Sequence, residues 1–347
     1  MAFKVVQLVE LPGAPDYREM FRQAGVDVEL VKIPLVDPTE DDIINAVGDA
    51  DAVITGTIKF SFSRRVLSSL SNCKFIMSMG IGYDKLDVQA ATDLGILAAN
   101  VPDYCLDEMS DHTMSLILAC TRRVVQLTET VKRGDWKTEP DPYIRAELWP
   151  KLTRLRGQTL GLLGFGRVPR AVVPKARGFG LKIIACDPYV APEVFREFEV
   201  EQVDLEQLLS QADIVSVHVA LTPDTRHLLD LEQLQKMKPA ACLVNTARGA
   251  IVDPEALYAV LRQGRMAAAA LDVTEPEPIS HDSPLLKLDN FTVTAHCAHA
   301  SAAAFAELMR RPGDEVIRVV KGEQPRGLLN TQVREKYHQK WGLSLSG

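Results

Sequence analysis

No stretch of this 347-residue chain is long and apolar enough to span a bilayer, which takes ~18 consecutive apolar residues. Met1-Ala-Phe-Lys4 runs straight into a strand-like pattern, without the basic and apolar regions of a signal peptide. A cytoplasmic protein with no membrane partner is therefore expected. Basic charge is not in excess: 39 Lys and Arg stand against 46 Asp and Glu, for a net charge of −7. That balance gives no electrostatic attraction for nucleic acid. The six cysteines, Cys73, Cys105, Cys120, Cys186, Cys242 and Cys297, lack Cys-x-x-Cys spacing. They read as reduced thiols, so neither a disulfide framework nor a metal is expected. Internal repeats and low-complexity segments are also missing. The length suffices for two domains, each with its own core.

What is present centres on residues 159–187. Thr159 to Leu163 is an apolar run suited to a buried parallel strand, Gly164 and Gly166 follow, and Leu181 to Ala185 is a second strand ending near Asp187. Strand, glycine turn, helix, strand and acid in that order form a dinucleotide-binding unit. The glycines allow a tight turn and close approach of a pyrophosphate, whose charge is met by N–H groups at the helix N-terminus. Asp187 lies 21 residues after Gly166, where a carboxylate accepts hydrogen bonds from the ribose hydroxyls and repels a 2′-phosphate, so NAD is expected as cofactor. The third glycine position is occupied by Pro169, and Pro174 follows. An interior proline costs about 3 kcal/mol, so a kinked or restarted helix is expected there.

Elsewhere strand and helix signals alternate. Lys4 to Glu10, Val26 to Ile33, Ala52 to Thr55 and Phe75 to Met79 read as strands, with helices over Asp16 to Ala24 and from Thr39 to Val47. Thr39 and Asp42 have capping-box spacing. A long helix is expected over Met109 to Val125, then an irregular connection over 133–156. Alternation resumes after Asp187 and ends with a strand at Phe291 to Thr294 and a helix over Ser301 to Lys321, interrupted at Pro312-Gly313. The final twenty residues are polar and expected to form an arm or frayed tail. The fold class is α/β: two Rossmann-like domains with parallel sheets and an active cleft between them. The boundaries expected are 1–102 with 296–330 for a discontinuous substrate domain, 103–295 for the dinucleotide domain and 331–347 for the tail.

Three polar residues follow expected strand ends: Arg248 in Asn245-Thr-Ala-Arg-Gly249, Glu277 in Asp272-Val-Thr-Glu-Pro-Glu-Pro278, and His296 in Ala295-His-Cys-Ala-His299. Carboxyl ends of parallel strands face the ligand crevice. Reduction of a 2-keto acid would use all three. Hydride reaches the carbonyl carbon, a histidinium gives a proton to the developing alkoxide, and a carboxylate beside the histidine favours its charged form. Arginine holds the substrate carboxylate with two hydrogen bonds. Taken singly, each is more often a surface or loop residue. Their co-occurrence downstream of a nucleotide turn favours catalysis.

These stretches resemble the signatures of the D-isomer-specific 2-hydroxyacid dehydrogenases, and the resemblance runs from about Lys4 to Asn330. Pro102-Asp-Tyr-Cys-Leu-Asp-Glu-Met-Ser-Asp-His-Thr113 looks closest to the branch with the C-terminal binding proteins and their bacterial relatives. The resemblance implies a homodimer with Arg248, Glu277 and His296 as catalytic residues. It implies Gly164, Gly166, Arg167, Val168, Asp187, Thr246 and Asp272 as cofactor-binding residues, with Asp272 at the carboxamide. Backbone N–H groups of Met79, Gly80 and Ile81 would face the substrate carboxylate. Ser78 stands where many relatives have arginine, and His299 where the nearest branch often has an aromatic; His299 either packs or bonds a polar substrate.

The leading expectation is an NAD-dependent oxidoreductase that reduces a 2-keto acid to a D-2-hydroxy acid, with His296 as acid/base. The alternative is an NAD-sensing dimeric interaction protein like the C-terminal binding proteins. Oxidation of formate or phosphite is a third reading, disfavoured by Glu277, since formate enzymes of this fold usually carry Gln there.

Overall fold

A computed structural model describes residues 2–138 and 141–346. The chain divides into two compact units, Met1–Tyr104 with Ser301–Gly347, and Cys105–Ala300. The first carries strands β1 (Phe3–Gln7), β2 (Val28–Lys32), β3 (Ala52–Thr55), β4 (Phe75–Ser78) and β5 (Leu97–Ala99) in a parallel sheet of order β2-β1-β3-β4-β5. Its central strands are buried on both faces, between a cluster around Phe62, Ile43 and Leu67 and another around Tyr17, Phe75 and Val316. That two-sided burial is why they read as apolar runs instead of alternating.

Thr39 caps the helix Glu40–Val47 as its spacing predicts, with the Asp42 N–H donating to Thr39 Oγ1 at 3.2 Å and the Thr39 N–H to Asp42 at 2.9 Å. The closing helix is continuous over Ala302–Val320 despite Pro312 and Gly313. Both lie on its buried face, where a Cβ at 313 would come within 2.9 Å of Met20 and Tyr17. The Tyr17 hydroxyl donates to the Met309 carbonyl at 2.5 Å, anchoring the turn before the proline. Residues expected as a polar tail instead form a turn at Thr331–Val333 and a helix Arg334–Trp341, held by the fully buried Val333 and Tyr337.

The second unit carries β6 (Thr159–Leu163), β7 (Lys182–Cys186), β8 (Glu201–Gln202), β9 (Ile214–Val217), β10 (Cys242–Asn245), β11 (Ala268–Leu271) and β12 (Phe291–Val293). All run parallel in the order β12-β11-β10-β9-β6-β7-β8. The order reverses between β6 and β9, which is the topological switch point of a doubly wound sheet. This unit extends past β12 to Ala300, further than the boundary expected at 295, and Thr294, His296, Cys297 and Ala298 are bonded to Asp272 within it.

Two helices differ from expectation. The long apolar helix ends at Arg122 and a second runs over Val124–Lys132, because Arg123 adopts a left-handed conformation (φ 52°). Its side chain is buried and donates to the Ala267 carbonyl at 2.5 Å, which ties the break to the sheet. The helix after the glycine turn is unbroken over Arg167–Gly178. Pro169 lies in the first turn, where N–H groups have no intrahelical partner anyway. Pro174 faces solvent, so water can take the carbonyl it leaves without a donor. Of the connection expected over 133–156, residues 139 and 140 lie outside the described residues; Ile144–Leu148 and Trp149–Lys151 are short helical turns.

Candidate active site

The glycine turn joins β6 to the helix Arg167–Gly178. Gly164 has φ +98°, and a Cβ there would meet the backbone of His218 at 2.9 Å, so both conformation and space require glycine. Gly166 occupies the N-cap without a side-chain cap, so Arg167 and Val168 begin the helix with N–H groups of the kind that bind phosphate. Asp187, just beyond β7, accepts from the Phe165 N–H at 2.9 Å and the Tyr189 N–H at 2.9 Å. It braces the glycine turn and keeps further lone pairs for hydroxyl donors. A short strand, a glycine that only Gly can fill and an uncapped helix start together fit a dinucleotide pyrophosphate.

Arg248, Asp272, Glu277 and His296 follow the adjacent strands β10, β11 and β12, whose spacing is ~4.8 Å. Asn245, fully buried at the end of β10, shapes the first turn: its Oδ1 accepts from the Ala247 N–H at 2.9 Å and its Nδ2 donates to the Arg248 carbonyl at 2.8 Å. Arg248 itself donates to the Ala247 carbonyl at 2.7 Å. Gly249 lies so close to the next loop that a Cβ would fall 2.1 Å from the Thr274 carbonyl carbon. Thr246 is buried, its hydroxyl 3.2 Å from that of Thr113.

His296 and Glu277 are brought together, with Nδ1 2.5 Å from Oε1. The His296 backbone is left-handed (φ 50°), a conformation non-glycine residues hold only when surroundings impose it. Asp272 imposes it. Its carbonyl accepts from the His296 N–H at 2.8 Å, while its carboxylate accepts from the Cys297 N–H at 3.0 Å, the Ala298 N–H at 2.9 Å and the Thr294 hydroxyl at 2.5 Å. Burial alone would raise the Asp272 carboxyl; the bonds from His112, Thr294, Ala298 and Cys297 outweigh it and hold the group well below the ordinary carboxylate range. With its side chain only 1% exposed, Asp272 anchors the histidine segment.

Glu275 is fixed by Arg226 at 2.5 Å and His227 at 2.6 Å, which steadies the loop carrying Glu277. His299 stacks edge-on against His296, with ring centroids 5.9 Å apart. Burial, then the His296 charge, lowers its pKa, and the Asp272 carboxylate opposes them. In the other unit, Met79, Gly80 and Ile81 follow β4. The Met79 N–H donates to the Thr55 carbonyl at 2.7 Å, so it is spent within the sheet and is not available to a substrate carboxylate, contrary to expectation. Gly80 is left-handed (φ +98°), and the Ile81 carbonyl accepts from Asn100 at 2.6 Å. Ser78 is fully buried and bonded to Thr57. Asn245, Glu275 and the anchoring role of Asp272 were not read from sequence; only Asn245 carries a local signal, an Asx-type turn before Arg-Gly.

The family described as D-isomer specific 2-hydroxyacid dehydrogenase, NAD binding domain, matches residues 114–298. The chain belongs to it. A glyoxylate reductase of Korarchaeum cryptofilum is 37% identical over 296 residues, 85% of this chain and 87% of that protein. A D-3-phosphoglycerate dehydrogenase of Methanocaldococcus jannaschii is 37% identical over 84% of this chain, which spans only 54% of that longer protein. The crystal structure of Rhodotorula graminis D-mandelate dehydrogenase matches with a TM-score of 0.82 at 28% identity, covering 94% of this chain and 96% of that one. This is an NAD-dependent D-2-hydroxyacid dehydrogenase, and the relatives favour that reading over the nucleotide-sensing interaction protein. No helix among the described residues is long and apolar enough to cross a membrane.

Proposed function

We propose that this dehydrogenase works as a reductase of small 2-keto acids, glyoxylate first among them, with His296 as the proton donor and Glu277 as its orienting partner. The observation that carries this reading is the 2.5 Å contact between His296 Nδ1 and Glu277 Oε1 at the end of adjacent strands. A ring held through Nδ1 keeps one tautomer and leaves Nε2 to exchange the proton. Bound NADH supplies the hydride. Arg248 takes the substrate carboxylate, and its fork polarises the neighbouring carbonyl. Gly164, Gly166, Arg167 and Val168 receive the pyrophosphate, Asp187 the adenosine ribose in preference to a 2′-phosphate, and Thr246 lies on the cofactor side. His299, half-buried beside His296, lines the substrate position.

The protein acts as a cytoplasmic homodimer. Its cysteines form no disulfide among the described residues, as expected in a reducing compartment. Val124, Val125, Val131, Trp136, Tyr143 and Trp149 leave apolar side chains in water along one stretch of the second unit, the kind of surface a partner covers.

NADH oxidation over a panel from glyoxylate to phenylpyruvate tests the reading, alongside NADH titration. Saturable turnover on the short acids is expected, falling about 10²–10⁴-fold in His296→Ala while NADH still binds. Undiminished turnover in that variant removes the acid/base role.

A further inference from the structure

Beside the acid/base pair, three side chains that the reaction does not consume converge from separate segments: His112 on the helix Leu106–Arg122, Asp272 after β11, and Cys297 next to His296. His112 Nε2, a carboxylate oxygen of Asp272 and Cys297 Sγ all lie within 4.8 Å of one another. The nitrogen is 3.5 Å and the sulfur 3.7 Å from the same Oδ1. A tetrahedral zinc with bonds of ~2.0–2.3 Å separates its ligand atoms by roughly 3.3–3.6 Å, so two edges already have about that length. The third closes by rotation of Cys297, which is exposed. Asp272 is buried beneath the other two, so His112 and Cys297 form the way in.

We propose that His112, Asp272 and Cys297 form a Zn²⁺ site whose occupation inhibits the enzyme. One imidazole, one carboxylate and one thiol suit Zn²⁺ or Co²⁺, whereas Mg²⁺ and Ca²⁺ take oxygen ligands. On binding, the Cys297 thiol loses its proton to solvent as the zinc–sulfur bond forms, and His112 gives up the Nε2 proton it shares with Asp272 by taking the Nδ1–H tautomer, which frees the Nε2 lone pair for the metal; no redox step is involved. Three protein ligands leave the fourth position to water. The metal then replaces hydrogen bonds as the fastening of the segment that carries His296. Spacing conceals such a site in the sequence, because its ligands lie 160 and 25 positions apart. The inhibition rests on the acid/base reading of His296; the binding does not.

The test uses the full chain stripped with a chelator. Co²⁺ titration should give one equivalent and a thiolate-to-cobalt charge-transfer band, and Zn²⁺ should displace the cobalt while NADH oxidation falls. Cys297→Ser should abolish the band, keep metal-free turnover and lose zinc inhibition. His112→Gln should weaken zinc binding by at least about tenfold, since even outer-sphere changes reach that size. Absence of the band, or zinc affinity in both variants equal to the parent's, overturns the site. Zinc binding with turnover undiminished overturns the inhibition. A cobalt band in a protein that turns over no keto acid leaves the site standing and removes the reductase reading instead.

Discussion

Replacing Asp272 by asparagine exchanges one oxygen for an amide nitrogen at the residue from which the His296 segment hangs. In the parent, one carboxylate oxygen receives Thr294 and the Cys297 N–H, and the other the Ala298 N–H. Asparagine keeps a single acceptor, so one of these donors faces an NH₂ group, and the remaining bonds lose their charge assistance. A hydrogen bond to a charged group contributes ~1.5–3 kcal/mol and neutral bonds are about half as strong, so one lost and two weakened bonds come to roughly 3–6 kcal/mol, and the smaller cost of burying a neutral amide than a carboxylate brings the net loss to roughly 2–4 kcal/mol. For a unit of this size ~2–4 °C accompanies each kcal/mol, giving a Tm lower by about 4–16 °C. Scanning calorimetry of the full chain reads it, with kcat on glyoxylate alongside, and kcat should fall about 100-fold if the imidazole shifts by about 1 Å. The sign with pH is fixed too. A carboxyl depressed on folding contributes its stability above the unfolded value of 3.8 and loses it as pH falls through the folded value. The Tm gap between parent and variant should therefore hold steady from pH 8 to 5 and narrow below about 4. A variant with unchanged Tm and kcat would refute the anchoring role.

Arg248→Lys should raise KM for the keto acid and depress kcat, because a point charge cannot reproduce a fork with two parallel hydrogen bonds; steady-state kinetics that match the parent would move carboxylate recognition elsewhere. Asp187→Ala should narrow the preference for NADH over NADPH and also weaken binding of both, since the Phe165 N–H loses its acceptor in the glycine turn. Fluorescence titration with both cofactors separates the two effects, and an unaltered preference would place the ribose on another residue.

Much of the fold was legible because its signals are local. The Thr39 and Asp42 capping pair, the apolar strand runs and the glycine turn each depend on a few neighbouring residues. Features decided by distant partners were hidden. Arg123 breaks its helix because its side chain reaches Ala267, 144 positions away. Pro174 and Pro312 sit in continuous helices because solvent or packed neighbours absorb their effect, and nothing local announces which. The terminal helix is held by Val333 and Tyr337, two buried side chains in a polar stretch. β8 is two exposed residues long, below any periodic signal. At the site, the chemistry-bearing types at strand ends suggest that His296 and Glu277 meet. The scaffolding under them was not visible, since an aspartate that binds backbone N–H groups 25 and 26 positions later looks like any other acid.

The near-contact of Gly249 with Thr274 couples two loops that are separate in sequence. Neither can be lengthened, shortened or given a side chain at that point without displacing the other, so the arginine loop and the glutamate loop must be inherited as one block. A chimaera that exchanges substrate preference with another dehydrogenase by grafting one of them alone would mismatch backbones, and successful grafts will carry residues 245–278 together.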